Sequence, residues 1–125
     1  VKIYNDTTAT TPEATLAALE ALEAPLILIM GGADKGLDMA SLLAAIPAYT
    51  KRVILLSGTG TSRILEWLPD ASVYDTLEAA VTEAFRSSVS GDVILFSPAF
   101  ASFGMFKNEF DRGDQFVALV KKFVA

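Results

Sequence analysis

The sequence predicts a single α/β domain of Rossmann-like, three-layer build: a mostly parallel sheet of five or six strands with helices on both faces. Three observations predict it. Apolar runs and helical stripes alternate along the whole chain. The apolar runs are continuous, without polar residues at alternate positions, as in strands buried on both faces. And 125 residues, 52% of them hydrophobic and 20% charged, suffice for one packed core without disulfides or a structural metal.

Residues 1–4 give a short first strand. Thr11 then serves as N-cap of a helix that opens on Pro12 and carries Leu16, Leu19 and Leu22. Residues 26–30 form the second strand, and Asp38 precedes a helix over 39–46. Residues 53–56 form the third strand, followed by a short helix over 64–68 capped by Thr61 or Ser62. A weak strand at 72–74 leads to Thr76, which caps the stripe Leu77, Ala80, Val81, Ala84 and Phe85 at helical spacing. The last strand is 93–96, and the last helix sets Phe116, Leu119, Val120 and Phe123 on one face.

Composition removes several chemistries. There is no cysteine and no histidine, so the chain has no disulfide framework, no Cys/His zinc site, no thiol nucleophile and no Ser-His-Asp triad. Carboxylates, lysines, hydroxyls and backbone groups remain. The net charge is −5, from 10 basic and 15 acidic residues with no basic run, which argues against nucleic acid as a partner. The apolar stretch 24–30 is far too short to span a bilayer, and the N-terminus lacks a signal pattern. The lack of cysteine fits a cytoplasmic protein. The chain opens inside a strand, which reads as a piece of a larger protein.

In an open parallel sheet, ligands sit beyond the carboxyl ends of the strands. Four polar or glycine-rich segments fall there: Asn5-Asp6-Thr7-Thr8-Ala9-Thr10-Thr11, Gly31-Gly32-Ala33-Asp34-Lys35-Gly36, Ser57-Gly58-Thr59-Gly60-Thr61-Ser62-Arg63 and Ser97-Pro98-Ala99-Phe100-Ala101-Ser102. The opposite edge, at 23–25, 50–52 and 90–92, is plainer. In the second segment Lys35 offers a mobile charge suited to a carboxylate or phosphate, although a solvated lysine on a strand-exit turn accounts for the same residues. The third segment lacks the last glycine of a dinucleotide fingerprint, so a tight turn with a helix cap is the better reading. In the first, one residue caps the helix, and Asp6 could equally serve a ribose hydroxyl or a metal. After the last strand, Phe103, Met105 and Phe106 pack on the sheet while Ser102 caps a short helix whose backbone N–H groups suit an anion.

The first, second and last of these segments, extended to NDTTATTPEAT, GGADKG and SPAFASFGMFKNEFDRGDQF, resemble in order and spacing the C-terminal domain of the Mur ligase family, and within it the D-glutamate-adding ligases. The resemblance runs over residues 4–123. The Asn-Pro-Arg element expected of a diaminopimelate-adding sibling does not occur. The resemblance implies a three-domain enzyme in which the first domain binds the UDP-sugar and the central ATPase domain holds ATP and Mg2+. The third domain, which this chain resembles, brings D-glutamate. The alanyl carboxylate of UDP-N-acetylmuramoyl-L-alanine is phosphorylated, and the D-glutamate amine attacks the acyl phosphate. By the same resemblance Lys35 and Thr10 meet one D-glutamate carboxylate. Ser102 and the backbone N–H of Glu109 hold the other. Asp6 faces the ATP ribose, and Thr8 stands where the family carries a lysine near the phosphates. Phe100 replaces a common cysteine and Gly104 a common aspartate. No catalytic or metal-binding side chain is expected in this domain, and the isolated domain is expected to be inactive. Two other readings are a free-standing nucleotide-binding module built on residues 57–63, and a related ligase for another amino acid, such as a polyglutamate synthase.

Overall fold

The computed structural model describes residues 1–22 and 26–124. The amino-edge turn expected at 23–25 therefore lies outside the described residues. The rest form five parallel strands, β1 (Lys2–Asn5), β2 (Leu26–Gly31), β3 (Thr50–Leu56), β4 (Ser72–Tyr74) and β5 (Val93–Phe96), in the order β1-β5-β2-β3-β4. Every pairing is parallel, with Leu28 opposite Val53 on one side and Leu95 on the other. The helices are α1 (Pro12–Ala21), α2 (Ala40–Tyr49), α3 (Thr59–Ile64, continued by a 3-10 turn at Leu65–Trp67), α4 (Leu77–Ser87) and α5 (Glu109–Val124).

The alternation of the strand side chains builds two cores. Leu26, Leu28 and Met30 of β2 face Leu19, Leu42, Ile46 and Ile64 from α1, α2 and α3. Ile27 and Ile29 face the other way, onto Val81 and Ala84 of α4 and Phe116 of α5. All six residues of β2 are buried, which is why this run shows no polar alternation. The strand order explains the division of helices. From β1 to β4 the chain advances across the sheet; from β4 it returns to insert β5 between β1 and β2. A right-handed crossover that reverses direction must cross on the opposite face, so α4 lies opposite α1 to α3.

Local chemistry sets the element ends. Thr11 Oγ1 accepts the N–H of Ala14 at 3.2 Å, and Thr76 Oγ1 accepts that of Ala79 at 3.1 Å, as the sequence predicts for both caps. Four boundaries differ. β3 begins at Thr50, three residues before its apolar run, because Thr50 and Arg52 still pair with β2. α2 runs through Pro47 to Tyr49; the missing N–H falls in the last turn, where both the backbone and the hydroxyl of Thr50 donate to the Ile46 carbonyl. α3 begins at Thr59 rather than after Thr61 or Ser62, with Gly58 as its N-cap. Thr61 does not cap it: its hydroxyl donates to the Leu56 carbonyl and accepts the Gly32 N–H, tying β3 to the β2 exit. Finally, Ser102 caps no helix. Its carbonyl accepts the Phe106 N–H at 3.0 Å in a turn, and α5 starts later, with Asn108 Oδ1 accepting the Asp111 N–H at 2.8 Å.

At the amino edge, Lys51 Nζ donates to the buried Asp92 Oδ2 at 2.8 Å, and the Val89 N–H donates to the same oxygen at 2.8 Å. The Lys51 bond, and after it the Val89 N–H, hold the Asp92 carboxyl below its ordinary range. A depressed carboxylate pKa stabilises the fold above the unfolded value, and that contribution is lost as pH falls through the folded value. Acid titration followed by circular dichroism should therefore show stability falling below the ordinary aspartate range, near pH 3.9. Asp92→Asn should flatten that part of the profile.

Candidate functional site

The carboxyl ends of the strands bring four loops together. The Ala99 N–H donates to the Ala9 carbonyl at 2.9 Å, joining the β1 exit to the β5 exit. Ala33 and Ala101 exchange two backbone hydrogen bonds of 3.1 Å, joining the β2 exit to the same segment. Thr10 is one residue from the first junction, Lys35 two residues from the second, and Ser102 one residue beyond it. Residues from three distant parts of the chain are thus anchored on one stretch, 99–102. Ala99 adopts a left-handed conformation there, at φ 65°. A non-glycine residue in that region costs about 1–2 kcal/mol, which its Ala9 hydrogen bond and burial offset.

Arg112 holds the arrangement from below. Its side chain is 1% exposed. Nε donates to Thr7 Oγ1 at 3.1 Å, one terminal nitrogen donates to the Thr7 carbonyl at 2.7 Å, and the other donates to the Phe100 carbonyl at 3.0 Å. The Thr7 hydroxyl in turn donates to the Glu109 carbonyl at 2.7 Å. One guanidinium therefore ties the β1 loop, the β5 loop and the start of α5. Burial pulls its pKa down to about 10, with Glu109 acting in the opposite direction, so it stays cationic at neutral pH. Gly113 completes the fit: a Cβ there would press on the Thr7 side chain.

Glycines let the loops close. Gly31 and Gly32 have φ of 119° and 145°, where side chains are rarely accommodated. A Cβ on Gly58 would collide with the Gly32 carbonyl, and one on Gly60 with the Phe100 ring. Gly58 and Gly60 are thus used for packing loop against loop, in line with the tight-turn reading of their segment. Above them lies a cleft of about 350 Å³, lined by Gly31, Gly32, Ser57, Gly58, Thr59 and Ser102 among others, with Phe103 and Met105 at its wall. Phe103 and Met105 are exposed, at 60% and 36%, rather than packed on the sheet, correcting the sequence expectation; Phe106 does pack against the α4–α5 core.

Ser102 lines this cleft and is buried; Thr10 is half-buried and Lys35 is exposed on the β2 exit loop, and neither of the two lines the cleft. Among the described residues Lys35 enters none of the ion pairs. Glu109 is the first residue of α5, where helix geometry leaves the N–H without an intrahelical partner. Asp6 is half-buried; Oδ2 accepts the Ser97 hydroxyl at 2.8 Å. Thr8 is exposed. Among the described residues no group of three His, Cys, Asp or Glu side chains could share a metal ion. The sequence reading gave Arg112 and Thr7 no role. The signal was present: one turn back from Phe116, the buried stripe of α5 falls on Arg112 and Gly113, and an arginine on an apolar face needs partners.

A Rossmann-like parallel sheet with a cleft at its carboxyl edge is the build of an α/β ligand-binding domain. The chain belongs to the Mur ligase family: residues 1–100 match the model for the Mur ligase glutamate ligase domain. It is 43% identical over 130 residues to the UDP-N-acetylmuramoylalanine–D-glutamate ligase of Roseiflexus sp. (strain RS-1), covering 98% of this chain and 28% of that protein. The ligase of the same name from Borreliella afzelii (strain PKo) is 44% identical over 127 residues, 96% of this chain and 28% of its own length. That from Treponema pallidum (strain Nichols) is 39% identical over 126 residues, 97% of this chain and 24% of its own length. The chain thus spans about a quarter of the length of the curated relatives it matches.

Proposed function

We propose that this chain is the amino-acid-presenting domain of a three-domain, ATP-dependent ligase that adds D-glutamate to UDP-N-acetylmuramoyl-L-alanine in peptidoglycan synthesis, in the cytoplasm. The observation that supports it best is the pair of backbone junctions that anchor Thr10, Lys35 and Ser102 on one segment. Glutamate carries two carboxylates, and this edge offers one mobile cation and several neutral donors. Lys35 and Thr10 hold one carboxylate; the Ser102 hydroxyl and the Glu109 N–H hold the other. The chemistry is amide formation by attack of the glutamate amine on an acyl phosphate. The domain contributes by fixing the amine in place, which makes the attack effectively unimolecular.

The nucleotide fits this chain only in part. The Asp6 carboxylate suits a ribose hydroxyl. Thr8 offers the phosphates a hydroxyl and no charge, and among the described residues no three His, Cys, Asp or Glu side chains gather to hold a metal ion. On this reading the phosphates and the metal belong to a central domain joined in cis, as does phosphorylation of the alanyl carboxylate. The UDP-sugar belongs to a first domain.

An amide-resolved NMR titration of the chain with D-glutamate, L-glutamate and NAD tests this reading. D-glutamate is expected to shift Thr10, Lys35, Ser102 and Glu109, and Lys35→Ala to abolish the shifts. A preference for L-glutamate would move the assignment to a polyglutamate-type ligase. Shifts from NAD over residues 57–63, with none from D-glutamate, would overturn it in favour of a nucleotide-binding module.

A further inference from the structure

We infer that Arg63 is a positioning residue for the Lys35 loop, setting both the place and the electrostatic strength of that lysine; this rests on the reading of Lys35 as a substrate contact. Arg63 lies on α3, in the segment whose glycines serve only packing. One terminal nitrogen of its guanidinium pairs with Asp34 Oδ1 at 2.9 Å and donates to the Leu37 carbonyl at 2.7 Å. These two groups bracket Lys35 on either side. Asp34 is fixed further: its N–H donates to Thr59 Oγ1 and its Oδ1 accepts the Gly36 N–H, both at 3.0 Å. Among the described residues the side-chain ties on 34–37 thus run to Asp34 or to α3, while Lys35 sits in the middle of the stretch.

Charge gives Arg63 a second effect. Asp34 stands one residue from Lys35. Its carboxylate is paired with Arg63, which compensates its charge. Without Arg63 an uncompensated carboxylate lies beside the group that must attract a dianion. It would compete for the Lys35 ammonium and repel the ligand. The pair is partly exposed, with side chains 40% and 29% accessible, so salt screens it and its contribution to global stability is small.

The test is steady-state kinetics on the complete protein that carries this chain, with D-glutamate varied and ATP and the nucleotide-sugar saturating. Arg63→Ala is expected to raise the KM for D-glutamate by roughly fivefold, the size of an ion pair worth about 1 kcal/mol, with kcat nearly unchanged. Arg63→Lys should recover most of the loss. In the double variant Arg63→Ala/Asp34→Asn, part of the loss should also be recovered, because the uncompensated charge is gone. A fall in kcat or thermal stability with KM unchanged would overturn the proposal and leave Arg63 a structural residue. Lys35→Ala, assayed alongside, separates the two levels. If it raises KM and Arg63→Ala does not, the positioning role fails alone; if it leaves KM unchanged, the assignment of Lys35 itself fails.

Discussion

Replacing Arg112 by alanine is expected to destabilise the domain by about 3–5 kcal/mol, the largest effect of any single substitution at the site. The side chain makes three hydrogen bonds in a space closed to water. Its removal strands the carbonyls of Thr7 and Phe100, and each buried, unpaired carbonyl costs about 1–3 kcal/mol. It also leaves a cavity where the guanidinium lay. Urea denaturation should show a lower midpoint with an unchanged slope. Arg112→Lys should recover less than half of the loss, since one ammonium cannot reproduce a planar fork spanning two loops. An unfolding free energy within about 1 kcal/mol of the parent's would mean that the β1 and β5 loops hold together without the clamp.

Lys35→Ala is expected to act on affinity alone. The side chain is exposed, so the unfolding midpoint should be unchanged. A lost hydrogen bond to a charged group costs about 1.5–3 kcal/mol, so the complete protein should need roughly 10- to 150-fold more D-glutamate to reach half its maximal rate. Ser102→Ala removes an uncharged donor to the other carboxylate, again a bond to a charged group worth about 1.5–3 kcal/mol, but takes no charge away, so its effect should fall at or below that of Lys35→Ala. The ordering of the two variants is the informative result. If Ser102→Ala were the more damaging, the cleft floor and not the mobile cation would govern recognition.

The fold was legible because each β-strand that matters is a run of Ile, Leu, Val and Met between glycine-rich exits and well-formed caps. Thr11 and Thr76 sit where the pattern places them, and the α4 stripe is buried apart from a half-exposed Phe85. What escaped was set by contacts distant in sequence. The extra residues at the start of β3 are polar, and only their pairing to β2 makes them strand. Thr61 looks like a cap, yet its hydroxyl is taken up by Leu56 and Gly32. Ser102 looks like a cap too, but the chain turns once and starts its helix seven residues later, at Glu109. At the site, the loops could be named from their positions after strands. Their mutual anchoring at Ala9–Ala99 and Ala33–Ala101 could not, because alanine backbone groups leave no mark in composition. Arg112 lay between these cases, visible as an anomaly on a buried stripe but with partners that only the folded chain reveals.

The insertion of β5 between β1 and β2 bears on how the domain is made. Lys2 pairs with Val93, across some ninety residues of chain, and Leu26 pairs with Val93 from the other side. Until the last third of the sequence arrives, β1 has no neighbour and β2 has one open edge. Contacts that close such long loops form late and slowly. On a ribosome, β2, β3 and β4 can associate early, but β1 must wait with its exit loop unanchored. The nascent chain therefore exposes an apolar β2 edge for longer than a hairpin-built domain would, a period in which it depends on chaperones or on rapid synthesis to avoid self-association.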